Sequence, residues 1–186
     1  MKILILSPLF PPDTAPSSQY VKELVTRLVY HKVTVLLYGH LPEEVQDVKY
    51  VCVDKRDSVL TRAFLFTKHL VNLARKHDLI IIQNGPSVEL PSLITLWFIR
   101  LPVILMESDA PAMNRTLNYW LYGTIHRLIR RRALLTIRAN DTSLWPLPRP
   151  QIHPLKPFPI EEMRLYEDSW QTHLKALQAL LTSHHE

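Results

Sequence analysis

Glycine is nearly missing from this chain. There are 3 glycines in 186 residues, where average usage would put about 13. Glycine is the residue that lets a backbone turn beneath a phosphate and approach it closely. Gly39, Gly85 and Gly123 stand far apart, so neither a G-x-G-x-x-G nor a G-x-x-x-x-G-K-[ST] loop can be written. A self-contained glycine-loop site for a dinucleotide or nucleoside triphosphate is excluded. Cysteine is scarcer still. Cys52 alone rules out an intramolecular disulfide and a cysteine-based zinc cluster and fits a reducing cytosol; within Tyr50-Val51-Cys52-Val53 it reads as a core residue. The nine histidines include no His-x-x-x-His pair, so no metal and no cofactor is expected.

Long apolar runs are also lacking. The most apolar stretch, Leu90 to Met106, is interrupted by Pro91, Arg100 and Pro102 and falls short of the roughly 20 clean residues of a membrane span. The opening Met1-Lys2-Ile3-Leu4-Ile5-Leu6 runs into prolines before any small-residue cleavage site, unlike a signal peptide. These features predict a cytoplasmic protein, with attachment at a membrane surface the remaining route to lipid. The net charge of +5 tolerates an anionic partner, but no nucleic-acid module surrounds the basic residues, and no nucleic acid is expected.

What is present is an alternation. Ile3–Leu6 and Val33–Leu37 are continuous apolar runs of the kind that form strands buried on both faces. Lys49–Val53, Leu79–Ile82, Val103–Met106 and Leu134–Ile137 are further strands. Between them lie helical patterns. After Pro11-Pro12-Asp13-Thr14-Ala15-Pro16, Ser17 or Ser18 offers an N-cap for a helix carrying Val21, Leu24, Val25, Leu28 and Val29. A second helix would place Leu60, Ala63, Phe64, Thr67, Leu70, Val71 and Ala74 on its buried face. A third covers Ser87–Ile99 with Pro91 in its first turn, and a long one runs from about Asn114 to Arg131. Strand–helix–strand repeated in this way predicts an α/β fold, a single Rossmann-like domain whose parallel sheet has helices on both faces.

Proline is over-represented, 15 residues against about 9 on average usage, and it is concentrated. From Pro146 to Pro159 six of fourteen residues are proline. In a polyproline II conformation such a segment spans roughly 40 Å, enough to strap across a domain. The expected organisation is therefore a Rossmann-like domain over 1–145, a strap over 146–159, and a C-terminal helix over 160–186 that returns to pack on the domain, with Trp170, Leu174, Leu177 and Leu181 on one stripe.

Ligands of open parallel sheets bind beyond the carboxyl ends of the strands. Three segments converge there. The first leads into a helix N-terminus, where Ser17 and Ser18 either bind a phosphate or carboxylate or serve as caps. The second, Gln83-Asn84, suits sugar hydroxyls and suits a plain turn equally. The third, Met106-Glu107-Ser108-Asp109, puts two carboxylates and a hydroxyl at a strand end; Glu107 or Asp109 could act as a base or bind hydroxyls, while Asp109 before Ala110-Pro111 could simply form an Asx turn. On the long helix, Arg127, Arg130, Arg131 and Arg132 follow Tyr119, Trp120 and Tyr122, a combination that fits an anionic membrane surface or a helix that is part core and part solvated.

Met1-Lys2-Ile3-Leu4-Ile5-Leu6-Ser7-Pro8-Leu9-Phe10-Pro11-Pro12-Asp13, with Tyr20-Val21-Lys22-Glu23-Leu24 and His31-Lys32-Val33-Thr34-Val35, resembles the opening of the family-4 retaining glycosyltransferases of the GT-B fold. His77-Asp78-Leu79-Ile80-Ile81-Ile82 is similar to that family's fourth strand, Ala133-Leu134-Leu135-Thr136-Ile137 to its last N-domain strand, and Asp168-Ser169-Trp170 to its C-terminal helix. Family members carry a second Rossmann-like domain that binds the nucleotide sugar; here the proline strap stands in its place. The family's Gly-Gly pair is Ala15-Pro16-Ser17-Ser18 in this chain, and its histidine after the fifth strand is Ser108. The resemblance implies an acceptor-binding half, for a sugar or lipid-linked acceptor, that is inactive alone and needs a separate donor-binding subunit. The altered loop equally suits a non-catalytic binding or scaffold protein, and the basic helix a peripheral membrane adaptor.

Overall fold

The computed structural model describes residues 1–13, 15–108, 117–141, 144–152 and 158–183, with the side chains of 117–119 and 180–183 outside the description. Residues 1–136 form one compact unit and 137–186 a second. Eleven elements follow in order: β1 (Lys2–Ser7), α1 (Pro16–Arg27), β2 (Lys32–Tyr38), β3 (Lys49–Val53), α2 (Val59–Ala74), β4 (Leu79–Gln83), α3 (Pro86–Phe98), β5 (Val103–Glu107), α4 (Leu117–Arg132), β6 (Leu135–Arg138) and α5 (Ile160–Ser183).

The strands form one six-stranded parallel sheet in the order β3-β2-β1-β4-β5-β6. β1 is central because Ile3 to Leu6 are apolar on both faces, and it pairs with β2 in the register Ile3↔Val33 and with β4 in the register Ile3↔Leu79. On one face Leu4, Leu6, Leu36, Ile80, Ile82 and Leu105 meet Phe66 and Leu70 of α2, Val88 and Leu96 of α3 and Ile129 of α4. Strand side chains alternate between faces, so Ile5, Val35, Ile81 and Met106, all buried, point to the other. There α1 supplies Tyr20, whose hydroxyl lies 3.7 Å from Met106 Sδ.

Four details depart from the sequence expectations. The N-cap of α1 is Ala15, with Pro16 in the first turn and no side-chain cap; proline is preset for that position, so the helix starts earlier than Ser17 or Ser18 would set it. Cys52 is exposed because β3 is the edge strand, hydrogen-bonded only to β2. On α2 the buried residues are Phe66, Leu70 and Ala74, whereas Leu60 and Phe64 are exposed: stacking of Phe66 on Tyr38, with ring centroids 4.6 Å apart, rotates the helix away from the expected face. Pro91 lies inside α3 rather than in its first turn, which Pro86 occupies. The predicted start of α4 near Asn114 lies outside the described residues.

Within the second unit, α5 buries Tyr166, Trp170, His173 and Leu177, the i, i+4, i+7, i+11 spacing of one helix face. His173 Nδ1 sits 2.7 Å from the Leu144 carbonyl, and the Leu147 amide donates to Ser169 Oγ at 3.0 Å. These bonds tie the start of the proline-rich segment to the helix.

Candidate functional site

The strand order reverses direction between β1 and β4: the chain leaves β1 toward α1 on one face and β4 toward α3 on the other. In open α/β sheets this switch point opens a crevice beyond the carboxyl ends of the strands. Its floor is built from polar residues at the last positions of those strands. Ser7 and Gln83 are both buried, and Ser7 Oγ lies within hydrogen-bonding distance of Gln83 Oε1 and of the Leu9 carbonyl. Gln83 Nε2 donates to the Ser17 carbonyl at 3.1 Å and approaches Ser108 Oγ at 3.5 Å. Asn84 Oδ1 accepts from both the amide and the hydroxyl of Ser108, each at 3.1 Å. A buried amide must be satisfied or cost stability, and this one is satisfied by three separate segments.

Sequence-predicted residues are thus gathered here: Ser17, Gln83, Asn84, Glu107 and Ser108 surround the ends of β1, β4 and β5. Ser18 is fully buried, and its hydroxyl is used on the backbone, on the carbonyls of Asp13 and of Ala15. Asp109 lies outside the described residues. Gly85 closes the crevice on the α3 side. A Cβ at that position would stand 3.3 Å from the Pro8 ring, so the β1 and β4 loops approach one another through a residue without a side chain.

A second group, unforeseen from sequence, sits beside the floor. Glu89 on α3 has no exposed surface. It accepts from the Gly85 amide at 3.3 Å, from the Tyr122 hydroxyl at 3.2 Å and from His126 Nδ1 at 3.0 Å. The other ring nitrogen of His126 lies 3.2 Å from Glu107 Oε1, and Arg130 Nε stands 4.0 Å from the same oxygen. A histidine held between two carboxylates donates from both nitrogens only as the cation. The hydrogen bond to Glu89 accordingly raises the His126 pKa, against the opposing effect of burial, with Glu107 adding to the rise. Burial and the Glu89 charge push the Tyr122 hydroxyl up, so it remains a phenol and a donor. The result is a chain of groups, Tyr122–Glu89–His126–Glu107–Arg130, that delivers a fixed carboxylate to the rim of the crevice. The available sequence signal was Glu89 itself: a lone acid flanked by Val88 and Leu90 must find a partner if it is buried.

The arginines divide by role. Arg132 reaches the Leu96 carbonyl at the end of α3 and lies 6.0 Å over the Trp97 ring, while Arg130 faces Glu107. Arg127 and Arg131, one turn apart, are exposed and have no side-chain partner among the described residues. Nearby surface is apolar: Leu90, Ile94, Trp97 and Phe98 on α3 and Trp120, Leu121 and Leu128 on α4 are all exposed. Among the described residues no helix is long and apolar enough to cross a membrane.

No protein-family model matches the sequence, and neither does any curated protein. Solved structures do match. Anabaena Alr3699/HepE in complex with UDP and glucose superposes with a TM-score of 0.52 at 17% identity, over 73% of this chain and 37% of that one. The same protein with UDP-glucose gives 0.53 at 18%, over 73% and 36%. A protein of Listeria monocytogenes assigned as a UDP-N-acetylglucosamine 2-epimerase gives 0.51 at 13%, over 74% and 38%. What is shared is the fold, a Rossmann-like α/β domain with a parallel sheet that matches part of each of these longer chains. The chain spans well under half the length of each of these neighbours, and at such identities the likeness is one of architecture.

Proposed function

We propose that this chain is the acceptor-binding half of a GT-B-type sugar transferase, inactive by itself and dependent on a donor-binding half supplied by a separate polypeptide. The observation that carries the reading is the cluster at the switch point. Neutral hydrogen-bonding groups on Asn84 and Ser108 and one carboxylate, Glu107, stand together at the strand ends, which is the equipment for orienting sugar hydroxyls and accepting a proton from one of them. Asp109, next in sequence, would be the second carboxylate of the pair. Ser17 and the α1 N-terminus face the same edge and favour an anionic group there. Stabilisation of a departing diphosphate falls mainly to the donor-binding half, since the 186 residues hold no glycine-rich loop to do it.

The test uses UDP-glucose, which HepE holds in its solved complex. The purified chain is expected to leave UDP-glucose unconsumed. On mixing with a donor-binding half and an acceptor, transfer should appear and should be lost in Glu107→Gln or Asp109→Ala. Turnover of UDP-glucose by the chain alone overturns the proposal. Absence of transfer with every donor half tried, together with sugar binding unchanged by Asn84→Ala, would favour a non-catalytic binding or scaffold role.

A specific surface supports a second property, attachment to an anionic membrane face. Leu90, Ile94 and Trp97 are spaced i, i+4, i+7 along α3 and are exposed beside Phe98. With Arg127 and Arg131 on the neighbouring α4, they pair interfacial aromatics with cations for lipid phosphates. Co-sedimentation with vesicles containing anionic lipid should fall at least ten-fold in Trp97→Ala/Phe98→Ala; retention of full binding by that variant rules the surface out. A lipid-linked acceptor would fit this placement.

A further inference from the structure

The opposite end of the sheet holds a feature that sugar transfer does not use. At the amino-terminal edge a cavity of about 660 Å³ opens between the starts of β1, β2 and β3 and the end of α2. That volume falls in the range of small-molecule sites. Its walls carry Lys2, Lys32, Lys49 and Lys76, with His31 and His77 between them and Asp47 as the single lining carboxylate. None of the four lysine side chains has an ion-pair or hydrogen-bond partner among the described residues.

The register makes this concentration costly for the fold. Lys2 and Lys32 are directly opposite one another on neighbouring strands, and Lys49 pairs with Thr34, two residues further along β2. Adjacent strands lie about 4.8 Å apart, and like charges placed opposite destabilise a sheet. Acids are available nearby without being used to neutralise the group: Asp78 spends its carboxylate on the Lys2 backbone amide at 2.7 Å. His31 Nδ1, also on the wall, is buried and makes no hydrogen bond among the described residues, although buried polar atoms are ordinarily satisfied. His77, by contrast, is fixed on both nitrogens, by the Leu73 carbonyl and Thr34 Oγ1, and forms a rigid wall. Tyr30, almost fully exposed, stands at the rim with Val29.

We propose that this amino-terminal edge binds a small, soluble, multiply phosphorylated anion. Several lysines converging without acidic partners suit a compact ligand with charge distributed over neighbouring phosphates, because an ammonium acts as a point charge without demanding bidentate geometry. The assignment is independent of the transfer reading, as the site lies at the other end of the strands.

The experiment is calorimetric titration of the full chain with inorganic triphosphate at 50 mM and 200 mM salt. Binding is expected at low salt and should weaken at the higher concentration. Lys32→Gln/Lys49→Gln should weaken it at least ten-fold, while leaving the melting temperature unchanged or raised, since it relieves repulsion. Lys68→Gln/Arg100→Gln removes the same charge from exposed positions outside the cavity lining and should leave the affinity within two-fold. Equal losses in the two variants would show that net charge rather than the cavity is responsible, and would overturn the proposal, as would no binding at 50 mM salt. Binding of vesicles containing phosphatidylinositol 4,5-bisphosphate that is lost in Lys32→Gln/Lys49→Gln but kept in Trp97→Ala/Phe98→Ala, without binding of free triphosphate, would place the phosphates on a lipid and overturn the soluble-ligand assignment.

Discussion

Glu89 and His126 show how much one buried acid can organise. Neither is distinctive in the sequence, and they are separated by 37 positions. Their pairing is tertiary, and no local spacing encodes it. Removing one partner of a buried ion pair leaves the other charge uncompensated, at a cost of about 3–5 kcal/mol. His126→Gln, which strands the fully buried Glu89 carboxylate, should therefore lower the urea-unfolding free energy by about that amount, more than Glu89→Ala, which leaves His126 partly exposed and still facing Glu107. The pH dependence has a definite sign. The folded His126 pKa is raised above its ordinary value, so its contribution to stability is complete below about 6.5 and is lost as pH rises through the folded value. Glu89, Glu107, Tyr122 and Arg130 are the ionisable groups that face it. His173 acts oppositely: burial lowers its pKa, with the Leu144 contact opposing, so its contribution is complete above about 6.5 and is lost as pH falls through the folded value. Urea midpoints measured from pH 5 to 9 should decline on the alkaline side in the wild-type chain, and His126→Gln should flatten that limb while leaving the acid limb unchanged.

At the scale of elements, legibility followed burial geometry. Central strands were plain because a chain segment covered on both faces must be apolar at every position, as Ile3–Leu6 and Leu79–Ile82 are. The edge strand was not: Tyr50-Val51-Cys52-Val53 has the same composition, yet only Val53 is buried. Helix existence was equally plain and helix rotation was not. On α2 the stripe read from the sequence runs from Leu60 and Phe64 to Leu70 and Ala74; Leu70 and Ala74 are buried as expected, but Phe66 joins them in place of Leu60 and Phe64, a rotation that periodicity alone cannot choose. The stacking of Phe66 on Tyr38, a contact across 28 positions, decides it. Phe66→Ala should accordingly cost about 3–5 kcal/mol in chemical denaturation, whereas Phe64→Ala should stay within about 0.5 kcal/mol. Equal costs for the two would return α2 to the orientation that its sequence stripe suggested. Candidate site residues were legible for a related reason. The carboxyl ends of parallel strands are where such folds bind ligands, and Gln83, Asn84, Glu107 and Ser108 can be placed there once the strands are found.

Across the whole molecule the two polar regions occupy opposite ends of the same strands. β1 has Lys2 at its start and Ser7 at its end, five residue steps or about 17 Å of extended chain. One end is a hydroxyl and amide cluster with the fixed carboxylate of Glu107; the other is a lysine-lined cavity. A sheet covered by helices on both faces is a stiff spacer, so a ligand at one end should leave the other unperturbed unless the strands slide, and the continuous apolar core resists that. Backbone amide shift mapping offers a direct check. Titration with inorganic triphosphate should move resonances of Lys2, Lys32, Lys49 and His77 and leave Gln83, Asn84 and Ser108 in place. Titration with a monosaccharide acceptor should do the reverse. Triphosphate-dependent shifts confined to Ser17, Gln83 and Ser108 would instead mean that the α1 N-terminus is the stronger anion site, moving the phosphate chemistry of this chain to the transfer edge.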